Sequence, residues 1–184
     1  MKRALTQILP ALLLAVLATF NASPAKGQAA YAGFGPGSYV SVGVTASGYN
    51  SDYGKQRLAG PALYLDANLY RRIGVELEAR SLRYNAHQDL RETTYLVGPK
   101  ISTNGRNLRP YAKLLVGRGQ FNYPFNYARG SYLVVAPGGG VDWRLGRSRL
   151  IFRIADVEYQ FWPQFSYGPL HPWGVSSGLA LRLF

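Results

Sequence analysis

The strongest constraint in this sequence is the alternation of apolar and polar residues, in segments joined by links that are alternately long and short. In residues 38–47, 61–70 and 73–80, every second residue is apolar and most intervening residues are polar or small. This period of two is typical of β-strands, whose successive side chains point to opposite faces. At helical spacing, Glu76 and Glu78 would separate from each other and mix with Val75 and Leu77.

Five further segments show the same pattern less regularly. They are residues 93–102, 108–121, 132–145, 149–161 and 173–184. In the seventh strand, Asp156 and Glu158 share one face, and Arg153 falls on the other face unless a bulge intervenes; the sequence leaves both arrangements open. The 14 tyrosines and 21 glycines also favour a β-rich chain over a helical bundle.

The links between these segments carry a second signal. Short links at residues 71–72, 102–107 and 146–148 alternate with long links at residues 48–59, 85–92, 122–131 and 162–172. In an up-and-down barrel this alternation places every long loop at one mouth and every short turn at the other, which is the plan of outer-membrane barrels. We therefore predict an all-β fold, an eight-stranded antiparallel up-and-down transmembrane β-barrel, for which the chain length suffices.

The N-terminal residues have the three parts of a secretory signal. Lys2 and Arg3 precede an apolar run at residues 8–20, and small residues follow. The run is shorter than the ~20 residues that a membrane-spanning helix needs. We predict a signal peptide at residues 1–29, cleaved after Ala29, and a barrel domain at residues 30–184; residues 23–25 offer an alternative cleavage site.

The polar faces of the predicted strands carry both signs of charge. In a narrow membrane barrel these side chains would fill the interior and pair with one another, while the apolar face contacts lipid. The predicted interior charge network comprises Asp66, Glu76, Glu78, Arg80, Lys113, Asp142, Arg144, Asp156 and Glu158. Aromatic residues at many strand ends favour the membrane arrangement, because aromatic rings concentrate at membrane interfaces.

Three short motifs, in their order and spacing, resemble the OmpA-like outer-membrane β-barrel family of small eight-stranded, porin-family proteins. They are LVGPK at residues 96–100, RPYA at residues 109–112 and GGGVDWR at residues 138–144; the acidic seventh strand and the aromatic last strand complete the likeness, which spans about residues 39–184.

The resemblance implies location in the cell outer membrane and recognition of the C-terminal Phe184 by the barrel-assembly machinery. One feature departs from the family pattern. Phe184 shares strand parity with Arg182 and Ala180, whereas the leucines at 179, 181 and 183 form the other stripe. Either Leu183 ends the lipid-facing stripe, or a bulge shifts the register.

The sequence offers little else that indicates chemistry. The absence of cysteine excludes disulfides, thiol nucleophiles and cysteine-ligated metals. His87 and His171 lie in different long loops, and neither belongs to a recognisable catalytic or metal motif. Gly138–Gly140 resembles a phosphate loop only superficially, because no helix follows. We expect no catalytic residue, no metal and no cofactor.

The formal net charge of +12 does not indicate nucleic acid as a partner, because arginines gather at the short turns. There they would face anionic lipid head groups, which makes outer-membrane lipids the expected partner. The aromatic long loops suggest an extracellular glycan or protein as a further partner. The expected function is therefore a structural or surface-interaction role without an open pore. The alternatives are a soluble periplasmic barrel that binds a small apolar ligand and a lipid A-modifying outer-membrane enzyme.

Overall fold

Strand pairing extends along most of the chain. The computed structural model describes residues 38–52, 57–84, 91–103, 105, 107–122, 130–146, 148–165 and 168–183. The proposed leader with its Ala29 cleavage site, His87 and Phe184 lie outside the described residues. The eight strands are β1 (Tyr39–Asn50), β2 (Arg57–Tyr70), β3 (Ile73–Arg83), β4 (Arg91–Ser102), β5 (Leu108–Asn122), β6 (Gly130–Arg144), β7 (Leu150–Tyr159) and β8 (Trp173–Arg182).

These strands form a closed barrel in sequence order, with every neighbouring pair antiparallel. β1 closes the ring by pairing with β8, so that Val44 lies opposite Leu63 on one side and Leu179 on the other. Closure leaves no unpaired sheet edge along the barrel wall. The predicted eight-stranded up-and-down barrel is confirmed.

Several strands continue beyond the predicted boundaries towards the long-loop mouth. β1 reaches Asn50, β2 begins at Arg57, β3 ends at Arg83 and β4 begins at Arg91. The alternation weakens there because the outward side chains become small or polar, yet the backbone ladder continues. At β7 the difference is opposite: Phe161 forms only an isolated bridge with Val135 beyond the strand.

The two faces of the strands differ in chemistry along most of their length. Outward-facing aliphatic side chains such as Val44, Leu63 and Ile101 are each more than half exposed, at 56%, 55% and 58%. Acidic side chains at alternating positions, such as Glu76 and Glu158, are completely buried. The barrel is therefore apolar outside and charged inside. None of the described residues belongs to a helix long and apolar enough to cross a membrane.

Two of the short turns contain a residue in the left-handed backbone conformation. Arg71 has a φ of 46° in the β2–β3 turn, and Gly146 has a φ of 61° in the β6–β7 turn. Gly146 also donates its N–H to the carbonyl of Arg144 at 2.9 Å. Glycine adopts this conformation without the clash that a Cβ introduces.

Replacing Gly146 by alanine is expected to destabilise the folded barrel by about 1 kcal/mol, because a Cβ disfavours the left-handed conformation. The measurement is the urea midpoint of the barrel in a lipid bilayer. Gly48→Ala is the matched control, since Gly48 has no positive φ and a Cβ there meets no atom within 4 Å. Equal midpoints for the two variants would contradict the role given to Gly146.

Candidate functional site

The candidate site is the set of charged side chains that six strands direct into the barrel. β2 contributes Asp66; β3 contributes Glu76, Glu78 and Arg80; β4 and β5 contribute Lys100 and Lys113; β6 contributes Asp142; β7 contributes Arg153, Asp156 and Glu158. We call these residues the interior network. Each lies at an inward position of its strand, and each is almost completely buried.

In the half of the network nearer the short turns, two cations bind the carboxylates. Lys100 Nζ lies 2.8 Å from Asp66 Oδ2, 3.1 Å from Glu76 Oε2 and 3.3 Å from Asp142 Oδ2. The guanidinium of Arg153 lies 2.8 Å from Glu76, 3.0 Å from Asp142 and 3.2 Å from Asp156. Both cations therefore cross-link several strands around Glu76.

Nearer the long loops, Lys113 and Arg80 likewise cross-link strands by binding carboxylates. Lys113 Nζ contacts Asp156 at 2.7 Å, Glu76 at 3.0 Å, and Glu78 and Glu158 at 3.2 Å each. Arg80 forms ion pairs with Glu78 and, at 2.8 Å, with Glu158. Buried ions are costly unless several partners surround them, and these cations meet that requirement.

Tyrosine rings cover the arginines of the network. The Arg153 guanidinium carbon lies 3.8 Å from the ring centroid of Tyr64 and 4.8 Å from that of Tyr111. The Arg80 guanidinium carbon lies 4.3 Å from the ring centroid of Tyr49, whose hydroxyl donates to Glu158 Oε1 at 3.1 Å. Aromatic faces attract cations, so the rings both fill space and stabilise the buried charge.

Eight of the nine residues predicted for the interior charge network lie in it. The exception is Arg144, which forms no ion pair with another described residue. Its guanidinium carbon lies 5.8 Å from the ring centroid of Tyr39, near the guanidinium groups of Arg109 and Arg182. It sits one inward position beyond Asp142, at the end of β6, where the interior opens towards the short-turn mouth.

Sequence reasoning missed two of the four network cations. A bulge in β7 brings Arg153 inward: Val141 pairs with Ala155, whereas Asp142 pairs with Arg153, so Ile154 is passed over and remains exposed. For Lys100 the sequence does indicate an inward position, because this residue alternates with the outward-facing Val97, Pro99 and Ile101 of β4. That parity would have identified it.

Glu76, Glu78 and Asp156 form a group of carboxylates whose oxygens lie within 4.8 Å of one another. Lys113 Nζ contacts all three, so an ammonium of the chain itself meets their negative charge. The four cations are nevertheless outnumbered by the six carboxylates of the interior network.

Apolar side chains close the interior nearer the long-loop mouth. Trp162 is completely buried, and its ring centroid lies 6.3 Å from those of Phe121 and Tyr132. A Cβ on Gly119 would lie 2.2 Å from the Trp162 ring, so glycine is required for this approach. Trp162 Nε1 donates to Gln160 Oε1 at 2.9 Å, and Gln160 Nε2 donates to Glu158 at 2.9 Å. This chain connects the apolar cluster to the interior network.

Glu92 is the acidic side chain of the described strands that lies outside the network. It is buried opposite Leu82 and Phe121, and neither carboxylate oxygen has a hydrogen-bond partner among the described residues.

His171 and the glycines at residues 138–140, the other described residues considered from the sequence, lie in packing contacts of the barrel. His171 stacks on Tyr159 and Phe161, with ring centroids 5.8 and 5.2 Å away. Gly140 lies within β6, where a Cβ would lie 2.1 Å from the carbonyl oxygen of Ala155. The glycines of this segment therefore allow close approach in the barrel wall.

The comparisons with solved structures agree on this architecture. Neisserial surface protein A is 11% identical, with a TM-score of 0.60, over 78% of this chain and 96% of that one. The outer membrane protein OprG from Pseudomonas aeruginosa is 14% identical, with a TM-score of 0.56, over 82% and 98%. The N-terminal β-barrel domain of Pseudomonas aeruginosa OprF is 17% identical, with a TM-score of 0.54, over 78% and 97%.

No protein-family model and no curated protein sequence matches the chain. The likeness to the solved structures therefore shows the fold, which is that of small outer-membrane β-barrels such as these three.

Proposed function

We propose that this chain is an outer-membrane barrel with a structural or surface-interaction role, without an open pore and without enzymatic activity. The observation that carries the proposal is the distribution of polarity: exposed aliphatic rows outside and a buried ionic network inside. In water this arrangement would expose a large apolar surface, whereas in a bilayer the same surface contacts acyl chains.

A soluble barrel with an apolar ligand fits these observations less well. Such a barrel needs an apolar cavity, and the middle of this one holds Arg80, Lys113 and Arg153 with their carboxylates. A charged, filled interior also argues against an open pore, because the side chains occupy the space that water and ions would need.

The proposal extends to assembly and partners. The long loops would face the cell exterior and the short turns the periplasm, as in other barrels of this plan. Phe184 would serve the barrel-assembly machinery, and the aromatic long loops would contact an extracellular glycan or protein. A role as a lipid A-modifying enzyme is the competing function, and mass spectrometry of lipid A after incubation with the protein distinguishes it.

Membrane fractionation tests the central claim. We expect the protein in the outer-membrane fraction, requiring detergent for extraction, and we expect its folded form to migrate differently from the boiled form in gels. In planar bilayers the folded protein is expected to give no steady conductance. Recovery in the soluble fraction without detergent would contradict membrane insertion, and a stable open channel would contradict the filled interior.

A further inference from the structure

The outward face of β3–β6 changes character towards the long-loop mouth. Strand register defines successive rows across these strands. The row of Leu77, Val97, Val116 and Val135 is wholly apolar. The next row holds Ala79, Tyr95, Arg118 and Leu133; the one above it holds Ser81, Thr93, Gln120 and Ser131; the last holds Arg83, Arg91 and Asn122. Polarity and positive charge thus rise within three rows.

Among the described residues, the arginines of these rows have no acidic neighbour on the same face. All seven acidic side chains of the described strands point inward and are buried. Arg83 and Arg91 face each other directly across the β3–β4 pair, and both are exposed. Like charges in directly opposed positions repel, so this pair favours an anion from outside the described part of the chain.

Two adjoining hollows mark the same face. The upper hollow, nearer the long-loop mouth, has a volume of about 580 Å³ and is lined mainly by polar groups, including Arg91, Thr93 and Gln120. The lower one has a volume of about 330 Å³ and is lined by aliphatic side chains, including Leu63, Leu77 and Val97, around the small Ala79. Tyr95 lines both hollows. A molecule with a polar head and an apolar tail would fit this arrangement, with its head in the polar hollow and its tail in the apolar one.

We propose that the outward face of β3–β6 binds a phosphorylated glycolipid of the outer leaflet. Arg83, Arg91 and Arg118 would contact the phosphates, and the hollow beside Ala79 would hold an acyl chain. The site rests on the proposed function, because it requires the rows of β3–β6 to stand at the head-group level of a bilayer. Arginine suits phosphate, since its planar donors bind two oxygens at once.

The site is confined to one side of the barrel. At the same mouth, the outward row of β7, β8 and β1 holds Tyr159, Trp173 and Asn50, and the row below it holds Val157, Val175 and Gly48. On β7, β8 and β1 these rows contain no arginine; the row of Asn50 reaches one only at the exposed Arg57 of β2, the strand that pairs with β3. General attraction of anionic lipid to the whole mouth would give no such asymmetry.

The test measures lipid binding by native mass spectrometry on the full protein extracted in detergent. The probes are doubly phosphorylated lipid A, the same lipid without phosphates, and phosphatidylglycerol. The double variant Arg91→Gln with Arg118→Gln is expected to bind phosphorylated lipid A on the order of 30-fold more weakly, since each arginine at an anionic lipid surface contributes about fivefold. Ala79→Phe, which fills the lower hollow, is also expected to weaken binding.

Arg72→Gln with Arg149→Gln makes the same charge change at the short-turn mouth and is expected to leave lipid A binding unchanged. Equal losses in the two double variants, binding that survives phosphate removal, or equal binding of phosphatidylglycerol would each overturn the site. Heat-dependent gel mobility of every variant reports insertion separately. If the variants show the normal mobility shift but bind lipid A as the wild type does, the lipid site alone is overturned. If the wild-type chain itself fails to insert, the proposed function is overturned as well.

Discussion

Replacing Arg153 by methionine is expected to destabilise the barrel by about 3–5 kcal/mol, the usual cost of removing one partner from buried ion pairs. Arg153 is completely buried and contacts Glu76, Asp142 and Asp156. Methionine retains much of the side-chain volume but no charge. The substitution leaves the carboxylates, already in excess, with three cations instead of four, and it removes the guanidinium between Tyr64 and Tyr111.

The same excess predicts an asymmetry between cation and carboxylate variants. Glu78→Gln is expected to change stability by less than about 1 kcal/mol, because it removes negative charge from a network with too much of it. Urea unfolding in bilayers, followed by tryptophan fluorescence, measures both variants. Arg149→Met, at an exposed position before β7, is the matched control. Equal losses for Arg153→Met and Glu78→Gln would contradict the charge imbalance.

Combining Arg153→Met with Glu76→Gln tests whether the two residues act together. Glu76 contacts Lys100, Lys113 and Arg153. When Arg153 is absent, the Glu76 carboxylate has already lost one of its partners, so neutralising its charge costs less stability than it does in the wild type. The double variant is therefore expected to lose less stability than the sum of the single variants. Strict additivity would show that these side chains are not coupled.

Trp162→Ala is expected to cost about 3–5 kcal/mol, as in other large-to-small substitutions of buried aromatics. The indole is completely buried against Phe121 and Tyr132, and Gly119 leaves room for it. Its removal opens a cavity near the long-loop mouth. It also deprives Gln160 of a donor, which disturbs the hydrogen-bonded chain to Glu158.

Bilayer unfolding measures the total loss, and amide hydrogen exchange localises it. Exchange is expected to rise at the β5 and β6 ends that carry Phe121 and Tyr132, and to stay low around Lys100. Trp162→Phe retains most of the buried ring and is expected to lose less. Trp173→Ala, on the exposed outer surface, is expected to spare exchange at these positions. Uniformly faster exchange throughout the barrel in Trp162→Ala would contradict a local cluster.

Much of the architecture was predictable because strand periodicity is a local property. The alternation around Glu76 and Glu78 assigns a face to each residue without knowledge of any partner strand. The order of short and long links then restricts the topology, since short turns join antiparallel neighbours. Strand ends such as Asn50 and Arg83 were less predictable, because backbone pairing continues where the side-chain pattern fades.

The charged interior was predictable in part. Strand parity places Asp66 and Glu158 inward, and the alternation of β4 places Lys100 inward as well. Parity fails at Arg153, because a bulge depends on how β7 pairs with β6 and β8. Parity also fails to separate Arg144 from the network, because depth along the barrel depends on the stagger between strands and not on strand periodicity.

The sequence by itself determined the number of strands, their order, and the two chemically different faces, because each follows from residue spacing along one strand and from link length. Only the tertiary structure decided which cation meets which carboxylate, how Trp162 closes the interior, and how the arginines of β3–β5 form one surface. These features require the registers of neighbouring strands, and a register is a relation between segments that no single segment encodes.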